Sequence, residues 1–413
     1  MRRESTRLLL SVYIPTGLLA FGQGILVPVL PLYAKELGGS YTLAGLVVAA
    51  AWIGTMVSDL PMGMLLARIG QRRAMLIGAG LFAVATVALG FTDEVPVMIV
   101  YRLAAGIGTA MWGLSRHAYI TQAVPAASRG RALSVFGGIN RIGQFAGPAV
   151  GGLVASQYGL PAALIAAGLA AGVATLVAVV TIHDRDEPVA AVAATTTHSP
   201  LTGLRGAVTG MGHEVAAAGT AQVFGQMIRA GRQIVIPLFG AYAIGLDELQ
   251  VGQIVSLSAM IDMLLFIPAG IIMDRFGRKA AAVPSFSLMA AGMALVPFTS
   301  SYGALLAAAL LIGFGNGIGS GTMMTLGADL APPDRTGEFL GLWRLIGDAG
   351  QAAAPLAVGS IADLIGLPLT AGAVSGMGVL AAAILALFVR ETRWTGESDA
   401  REQPIVTERS PGD

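Results

Sequence analysis

Charged residues interrupt several long apolar stretches of this sequence. They are Arg102, Arg141, Arg229, Arg232 and Arg344 together with Asp59, Asp262 and Asp348. Each charge at the centre of a bilayer costs about 2.5–3.5 kcal/mol on insertion scales. Such side chains must be paired or must face a wet cavity, and that arrangement is typical of a polar pathway through a membrane.

The aspartates could carry protons. A carboxylate beside an arginine can alternate between an ionised, paired form and a protonated, free form, which is what proton coupling requires. Asp262 is the predicted counter-ion of Arg229 and Arg232, so it is either a proton carrier or a static ion pair. Asp348 lies four residues after Arg344, and these two side chains could simply satisfy each other.

The arginines could bind an acidic group, because the guanidinium fork matches carboxylate and phosphate. Arg141 either binds substrate or holds a partner. Five arginines against three aspartates leave the predicted pathway net positive, which favours anionic or zwitterionic substrates over lipophilic cations. The candidate substrate-binding residues are Arg141, Arg229, Arg232, Gln23, Gln226 and Trp112.

The elements that position these residues are predicted membrane helices. Apolar residues make up 55% of the 413 and charged residues 12%, against about 25% charged in soluble domains. A span needs roughly 20 apolar helical residues. Twelve such stretches occur, near 8–33, 42–66, 73–91, 96–120, 131–155, 160–182, 215–243, 249–272, 279–299, 302–328, 336–360 and 367–389.

Charge and composition limit the partners. Almost all basic residues outside the spans lie in the termini and in the connecting segments on the same side of the membrane as the termini. Basic residues favour the cytoplasmic side, so the sequence predicts a cell-membrane protein with both termini in the cytoplasm. The chain has no cysteine, its four histidines form no metal-spaced pair, and no serine-nucleophile motif stands out. We therefore expect that the protein is not an enzyme and that it binds no metal, no cofactor and no nucleic acid. The expected partners are the lipid bilayer, protons and a small-molecule substrate. The protein is expected to be a monomer.

The spans divide into two related halves. The predicted units are a six-helix bundle over 1–182, a cytoplasmic linker over 183–214, a second bundle over 215–390 and a cytoplasmic tail over 391–413. When the chain is shifted by 207 residues, nine of 28 positions in 125–152 are identical to those in 332–359. The same shift aligns Gly63, Arg68 and Gly70 with Gly270, Arg275 and Gly277, so a duplication is predicted, as in many secondary transporters.

Four motifs resemble those of the major facilitator superfamily, and the resemblance covers about residues 8–390. GIIMDRFGRK (270–279) matches the loop signature between helices 8 and 9, and GMLLARIGQR (63–72) is a weaker copy between helices 2 and 3. RLAAGIGTA (102–110) resembles the helix-4 signature, and the resemblance links Arg102 to proton coupling, although a structural role is the alternative. GQFAGPAVGG (143–152) matches the helix-5 signature of proton-coupled exporters, particularly twelve-helix drug antiporters.

The resemblance also implies roles for two groups of gating residues. The glycines and proline of the helix-5 motif imply a tight, bent seam that controls opening, or else ordinary small-residue packing. They are Gly143, Gly147, Pro148, Gly151 and Gly152. Asp274 and Arg278 of the loop signature, with Asp329 at the end of helix 10, imply a cytoplasmic latch in which Asp274 meets a helix of the other half and Arg278 pairs with Asp329. Alternatively the basic residues only set the orientation.

Together these observations predict an all-α membrane protein with twelve transmembrane helices in two pseudo-symmetric six-helix bundles. The resemblance implies a proton-coupled exporter of small amphipathic compounds or drugs that works by alternating access. The alternative is a transporter of an organic anion or metabolite held by the intramembrane arginines. A non-transporting sensor or scaffold of the same fold is the third possibility. Relatives that export cations often keep an acidic residue on helix 1 or 4, whereas helix 1 here offers only Gln23.

Overall fold

The chain folds into long helices joined by short turns. We describe a computed structural model that covers residues 9–123, 126–182, 212–332 and 335–392. The helices are α1 Ile14–Glu36, α2 Tyr41–Ile69, α3 Gln71–Leu89, α4 Val95–Ala123, α5 Ala126–Tyr158, α6 Leu160–Thr181, α7 His213–Phe239, α8a Glu248–Leu264, α8b Phe266–Phe276, α9 Arg278–Leu295, α10a Tyr302–Ile318, α10b Thr322–Asp329, α11 Thr336–Ile365 and α12 Leu367–Phe388. Most of the predicted linker lies outside the described residues.

Helix contacts form two bundles with the same arrangement. In the first bundle α1 packs on α5 and α6, α3 packs on α4 and α6, and α2 packs on α4. In the second bundle α7, α9 and α8a make the equivalent contacts with α11, α12 and α10a. The bundles meet through α5 against α8a, α2 against α11 and α1 against α7. We call the face at which α1 begins and α12 ends the terminal face, and the other the opposite face.

The predicted offset of 207 residues reappears in the backbone. Gly70 ends α2 with φ 81°, and Gly277 ends α8b with φ 107°. Gly159 and Gly366, which are also 207 apart, separate α5 from α6 and α11 from α12 with φ 87° and 84°. A left-handed φ is strained for residues with a Cβ, so these glycines set both pairs of sharp reversals.

Eight spans of the described residues are long and apolar enough to cross a membrane when α10a and α10b are counted together, and α8a with α8b would form a ninth. The unbroken helices that fall short are α5, α7 and α11, which carry Arg141, Arg229, Arg232 and Arg344. Their polar residues lower the hydropathy below that of a lipid-facing span. This is expected of helices whose polar side faces the interior of a bundle rather than lipid.

Two helices of the second bundle are broken where the sequence predicted continuous spans. α8 bends by 43° at Leu265, next to Pro268, which has no backbone N–H to donate to the preceding turn. α10 is interrupted after Ile318, and Gly321 adopts the left-handed conformation with φ 79°. The equivalent helices of the first bundle, α2 and α4, are continuous. The breaks lie beside the polar cluster described next.

Candidate functional site

A cavity lies where the two bundles meet. One chamber, of about 320 Å³, has an apolar and aromatic wall from the first bundle that includes Trp52 and Phe82. A second chamber, of about 460 Å³, is lined by the arginines of α5 and α7. Gln144, Gln233 and Gln351 line both chambers, so the two adjoin. The combined space has one largely apolar side, which also carries Arg102, and one side lined by three arginines.

Asp262 is the centre of the charged chamber. Its Oδ1 lies 3.0 Å from Nη1 of Arg141, and its Oδ2 lies 3.4 Å from Nη2 of Arg232. The amide of Asn316 donates a further hydrogen bond to Oδ2. Arg141 also donates to the hydroxyl of Ser320, at 2.6 Å. The carboxylate is 12% exposed, so these donors replace most of its hydration.

The Arg141–Asp262 pair joins the two bundles, because Arg141 is on α5 and Asp262 is on α8a. The sequence predicted Asp262 as counter-ion of Arg232, and the structure has this contact. It does not have the predicted pairing with Arg229, which instead donates to the carbonyl of Gly319, at 3.0 Å. Three arginines against one aspartate leave this chamber with an excess of positive charge.

A second ion pair across the bundles lies on α2 and α11. Nη2 of Arg344 is 3.4 Å from Asp59, and its Nε is 3.6 Å from Asp348. The predicted i,i+4 pair of Arg344 and Asp348 is therefore present, and Asp59 shares the same arginine. The guanidinium is 53% exposed, so solvent screens these contacts more than those of Asp262.

The remaining predicted site residues also line the cavity. Arg102 and Gln23 lie in the apolar chamber, and Gln226 lies in the charged chamber. Gln23 and Trp112 line a third chamber, of about 210 Å³, that extends to Arg344. The structure thus places all the predicted coupling and substrate residues around three adjoining chambers, while their roles stay predictions.

The helix-5 motif has two contact surfaces. A side-chain carbon on Gly143 or Gly147 would meet the backbone of α1, and one on Gly151 would meet Ile25 of the same helix. Gly152 instead lies against Gly252 of α8a, in the other bundle. The N–H of Ala149 donates to the Ser256 hydroxyl at 2.8 Å, and that hydroxyl donates to the carbonyl of Phe145 at 2.6 Å.

The seam between α2 and α11 repeats this contact with the equivalent residues. Gly45, 207 residues before Gly252, packs on the backbone of Pro355 in α11. Close to it, the carboxylate of Asp363 accepts hydrogen bonds from the N–H groups of Tyr41 and Thr42, at 2.9 and 2.8 Å, and from the Thr42 hydroxyl, at 2.6 Å. The bundles are therefore held together at the opposite face.

The predicted latch residues lie on the terminal face within the second bundle. Arg278 Nε is 2.7 Å from Asp329, and its Nη1 is 3.7 Å from Asp274. Asp274 is 77% exposed, and Arg278 is its ion-pair partner among the described residues. The predicted contact of Asp274 with a helix of the other bundle does not occur among them. Instead Glu391, which the sequence placed in a tail, accepts hydrogen bonds from the backbone N–H groups that begin α9.

Several site residues were not predicted. Asn316 and Ser320 belong to the stretch GFGNGIGSG (313–321), whose glycines attract notice before its two polar residues do. Gln144 and Gln351 are equivalent under the shift of 207 and are identical, which was a usable signal. Asp363 carries no signal in the sequence, because its partner helix lies 321 residues away along the chain.

The chain is similar to proteins of one family over nearly all of its described length. The family model described as Major Facilitator Superfamily matches residues 12–228 and again 221–410. An uncharacterized MFS-type transporter of Methanocaldococcus jannaschii is 23% identical over 360 residues, 86% of this chain and 91% of that protein. The quinolone resistance protein NorA of Staphylococcus aureus is 28% identical over 174 residues, 42% of this chain and 44% of NorA.

A solved structure has the same fold. The bacterial homolog of the human lysosomal transporter Spinster, in an inward-facing and unoccupied conformation, superposes with a TM-score of 0.77 at 14% identity. The match covers 95% of this chain and 98% of that one.

Proposed function

Because the chain belongs to the major facilitator superfamily and is a multi-pass membrane transporter rather than an enzyme, we propose that it exports small amphipathic compounds in exchange for protons. We place it in the cell membrane as a monomer with both termini in the cytoplasm, as the distribution of basic residues favours.

The observation that carries this proposal is the two-sided cavity. Trp52 and Phe82 offer an apolar surface for a hydrophobic ring, and Arg141 and Arg232 offer charge-assisted hydrogen bonds on the other side. A site with one apolar and one polar wall fits compounds that have both characters. The similarity to a quinolone resistance protein supports export of such compounds.

Alternating access accounts for the contacts between the bundles. The opposite face is closed by the glycine seams and by Asp363, whereas Asp274 on the terminal face is free of the first bundle among the described residues. Rocking of the bundles about the central cavity would separate the seams and expose the cavity to the other side of the membrane. The gating residues of α5 act in this scheme through close packing.

The position of Asp262 between the bundles supports a role in proton coupling. When the bundles rock, Arg141 on α5 moves relative to Asp262 on α8a, and the carboxylate loses one of its two arginine partners. A carboxylate with fewer donors in a cavity is free to take up a proton. Protonation of Asp262 would thus accompany one direction of the conformational change, with Asp348 as the second candidate.

Replacement of Asp262 tests the coupling in proteoliposomes. Asp262→Asn should abolish uptake driven by a proton gradient and leave exchange of labelled for unlabelled substrate at the rate of the wild type. Glu94→Gln, in an exposed turn of the opposite face, is the control and should change neither rate. If gradient-driven uptake survives in Asp262→Asn, the role assigned to Asp262 is wrong.

The charge balance of the cavity favours a second candidate function, transport of an organic anion or metabolite. Arg141, Arg229 and Arg232 line the chamber with one neutralising carboxylate among its lining residues, Asp262. A net positive chamber attracts carboxylate or phosphate and repels cations. Transport of a hydrophilic anion, with no requirement for an apolar body, would favour this candidate over the first.

A further inference from the structure

Five arginines lie well within the predicted spans, and four of them have polar partners. Arg141 and Arg232 share Asp262, Arg229 donates to a backbone carbonyl, and Arg344 lies between Asp59 and Asp348. The described residues give Arg102 no hydrogen bond and no ion pair, and its Nε is buried without an acceptor. Arg229 also leaves its Nε without an acceptor, but Arg102 differs from these four in having no polar partner at all among the described residues.

Burial makes this unused capacity significant. Arg102 is 8% exposed and lies in the eighth position of α4, inside the first bundle. A guanidinium has five N–H donors and stays charged in proteins, so burial without an acceptor is strongly unfavourable. An anion bound at this position would supply the missing acceptor.

The surroundings of Arg102 define the shape of that anion. Its chamber contains no acidic residue among the lining residues of the described chain, so no carboxylate of the protein competes for the guanidinium. Polar lining is provided by amides and hydroxyls, such as Gln23 and Thr109, and the rest of the wall is apolar, including Leu26 and Trp52. An occupant must therefore bring its own negative charge and can bury an apolar body beside it.

We propose that Arg102 anchors the acidic group of an amphipathic organic anion, whose apolar body packs on the wall formed by Leu26, Trp52 and Phe82. This rests on the proposed function, since it names the substrate class of the same cavity. It also gives Arg102 a role in binding rather than in proton transfer. In this assignment the substrate's acidic group binds at Arg102, and the ion pairs of Asp262 change when the bundles move.

Equilibrium binding to the purified protein tests this without a proton gradient. The probes are 1-naphthylacetate, the neutral 1-naphthylacetamide with the same ring, and acetate. The variants are Arg102→Gln, Arg102→Lys and, as a control, Arg73→Gln, which removes an exposed arginine at the start of α3. Calorimetry gives the dissociation constants, and a melting curve of each variant shows that it is folded.

The wild type should bind 1-naphthylacetate at least tenfold more tightly than either the amide or acetate. Arg102→Gln should weaken binding of the anion by about 10- to 100-fold, the range for a lost hydrogen bond to a charged group. It should change binding of the amide less than twofold, and Arg102→Lys should restore part of the affinity for the anion. Arg73→Gln should leave all three dissociation constants unchanged.

Three results would overturn the proposal. They are a wild type that does not prefer the anion, an Arg102→Gln variant that binds the anion normally, and equal losses for anion and amide, which would indicate a structural role. If Arg102→Gln does not fold, the wild type carries the test, and equal affinities of the wild type for 1-naphthylacetate and 1-naphthylacetamide would contradict the proposal. Failure of gradient-driven export would refute the proposed function and leave these binding results standing.

Discussion

Removal of the Asp363 carboxylate is expected to loosen the closure of the opposite face. Three hydrogen bonds from the start of α2 end on this side chain, which belongs to the other bundle. Loss of a side chain that caps a helix costs about 0.5–2 kcal/mol. Because Asp363 is exposed and Ser40 still caps α2, we expect removal of the Asp363 carboxylate to destabilise the closed state by about 1 kcal/mol. The open fraction should rise about fivefold.

Single-cysteine labelling measures that fraction. The chain has no cysteine, so Val48→Cys, a position in the cavity wall, gives a reactive thiol without background. A membrane-impermeant maleimide applied from the opposite face reaches this thiol when the bundles separate there. The labelling rate of Asp363→Ala should then be about five times that of the parent, and Asp363→Asn should be intermediate because it keeps one acceptor oxygen.

Asp247→Ala is the matched control. Asp247 caps α8a at the same face, but its capping box with Gln250 stays within one bundle. This variant should label at the parent rate. Equal rates for Asp363→Ala and the parent, or a faster rate in the control than in Asp363→Ala, would refute the assignment of Asp363 to closure.

The effect should not depend on pH in the neutral range. Asp363 lies beyond residue 360, where the predicted span ends. Burial alone would raise the pKa of Asp363, but hydrogen bonds from Thr42 and Tyr41 outweigh it and hold the pKa below the ordinary value of 3.8. The contact is therefore present above the ordinary pKa and is lost only as the pH falls through the lowered value. Labelling rates from about pH 5 to pH 8 should be constant in the parent.

Two further variants test the seams and the latch. Gly252→Ala places a methyl group against the backbone of α5, so it should slow transport and increase labelling at the opposite face. Gly376→Ala, whose methyl group would point into open space on α12, should do neither. Transport rates and the labelling assay would check this, and equal effects of the two variants would contradict the role of the seam. Asp329→Asn removes the negative charge from the 2.7 Å contact with Arg278 and should destabilise the protein by about 1 kcal/mol. Asp274→Asn should change stability little because Asp274 is 77% exposed. Melting temperatures in detergent would check this, and a larger loss for Asp274→Asn than for Asp329→Asn would contradict it.

The helices and their repeat were predictable because they depend on local composition and spacing. The bounds of the spans follow from apolar length, and the offset of 207 found in the sequence is also the offset between Gly70 and Gly277 in the backbone. The pairing of Arg232 with Asp262 was predictable too, since these residues lie on consecutive helices of one bundle.

The contacts between bundles could not be predicted, because they depend on how two units dock rather than on either alone. Arg141 had several possible roles in the sequence, and only docking of α5 on α8a brings it to Asp262. Glu391 follows the last helix, so the sequence predicted it to be part of the tail, whereas in the structure it binds the start of α9. The interruptions of α8 and α10, which bring Ser320 to the cavity, are hidden in stretches apolar enough to form continuous spans.

Transport in everted membrane vesicles tests the central claim most directly. Vesicles containing the protein would be energised with a proton gradient, and uptake of ethidium and of an anionic fluorescent dye of similar size would be followed. Export of amphipathic compounds by proton exchange predicts gradient-dependent uptake that a protonophore abolishes. The anionic dye should be preferred because the described residues that line the chamber of Arg102 include no acidic one. Uptake of both dyes at the rate of vesicles without the protein, with or without the gradient, would contradict the account.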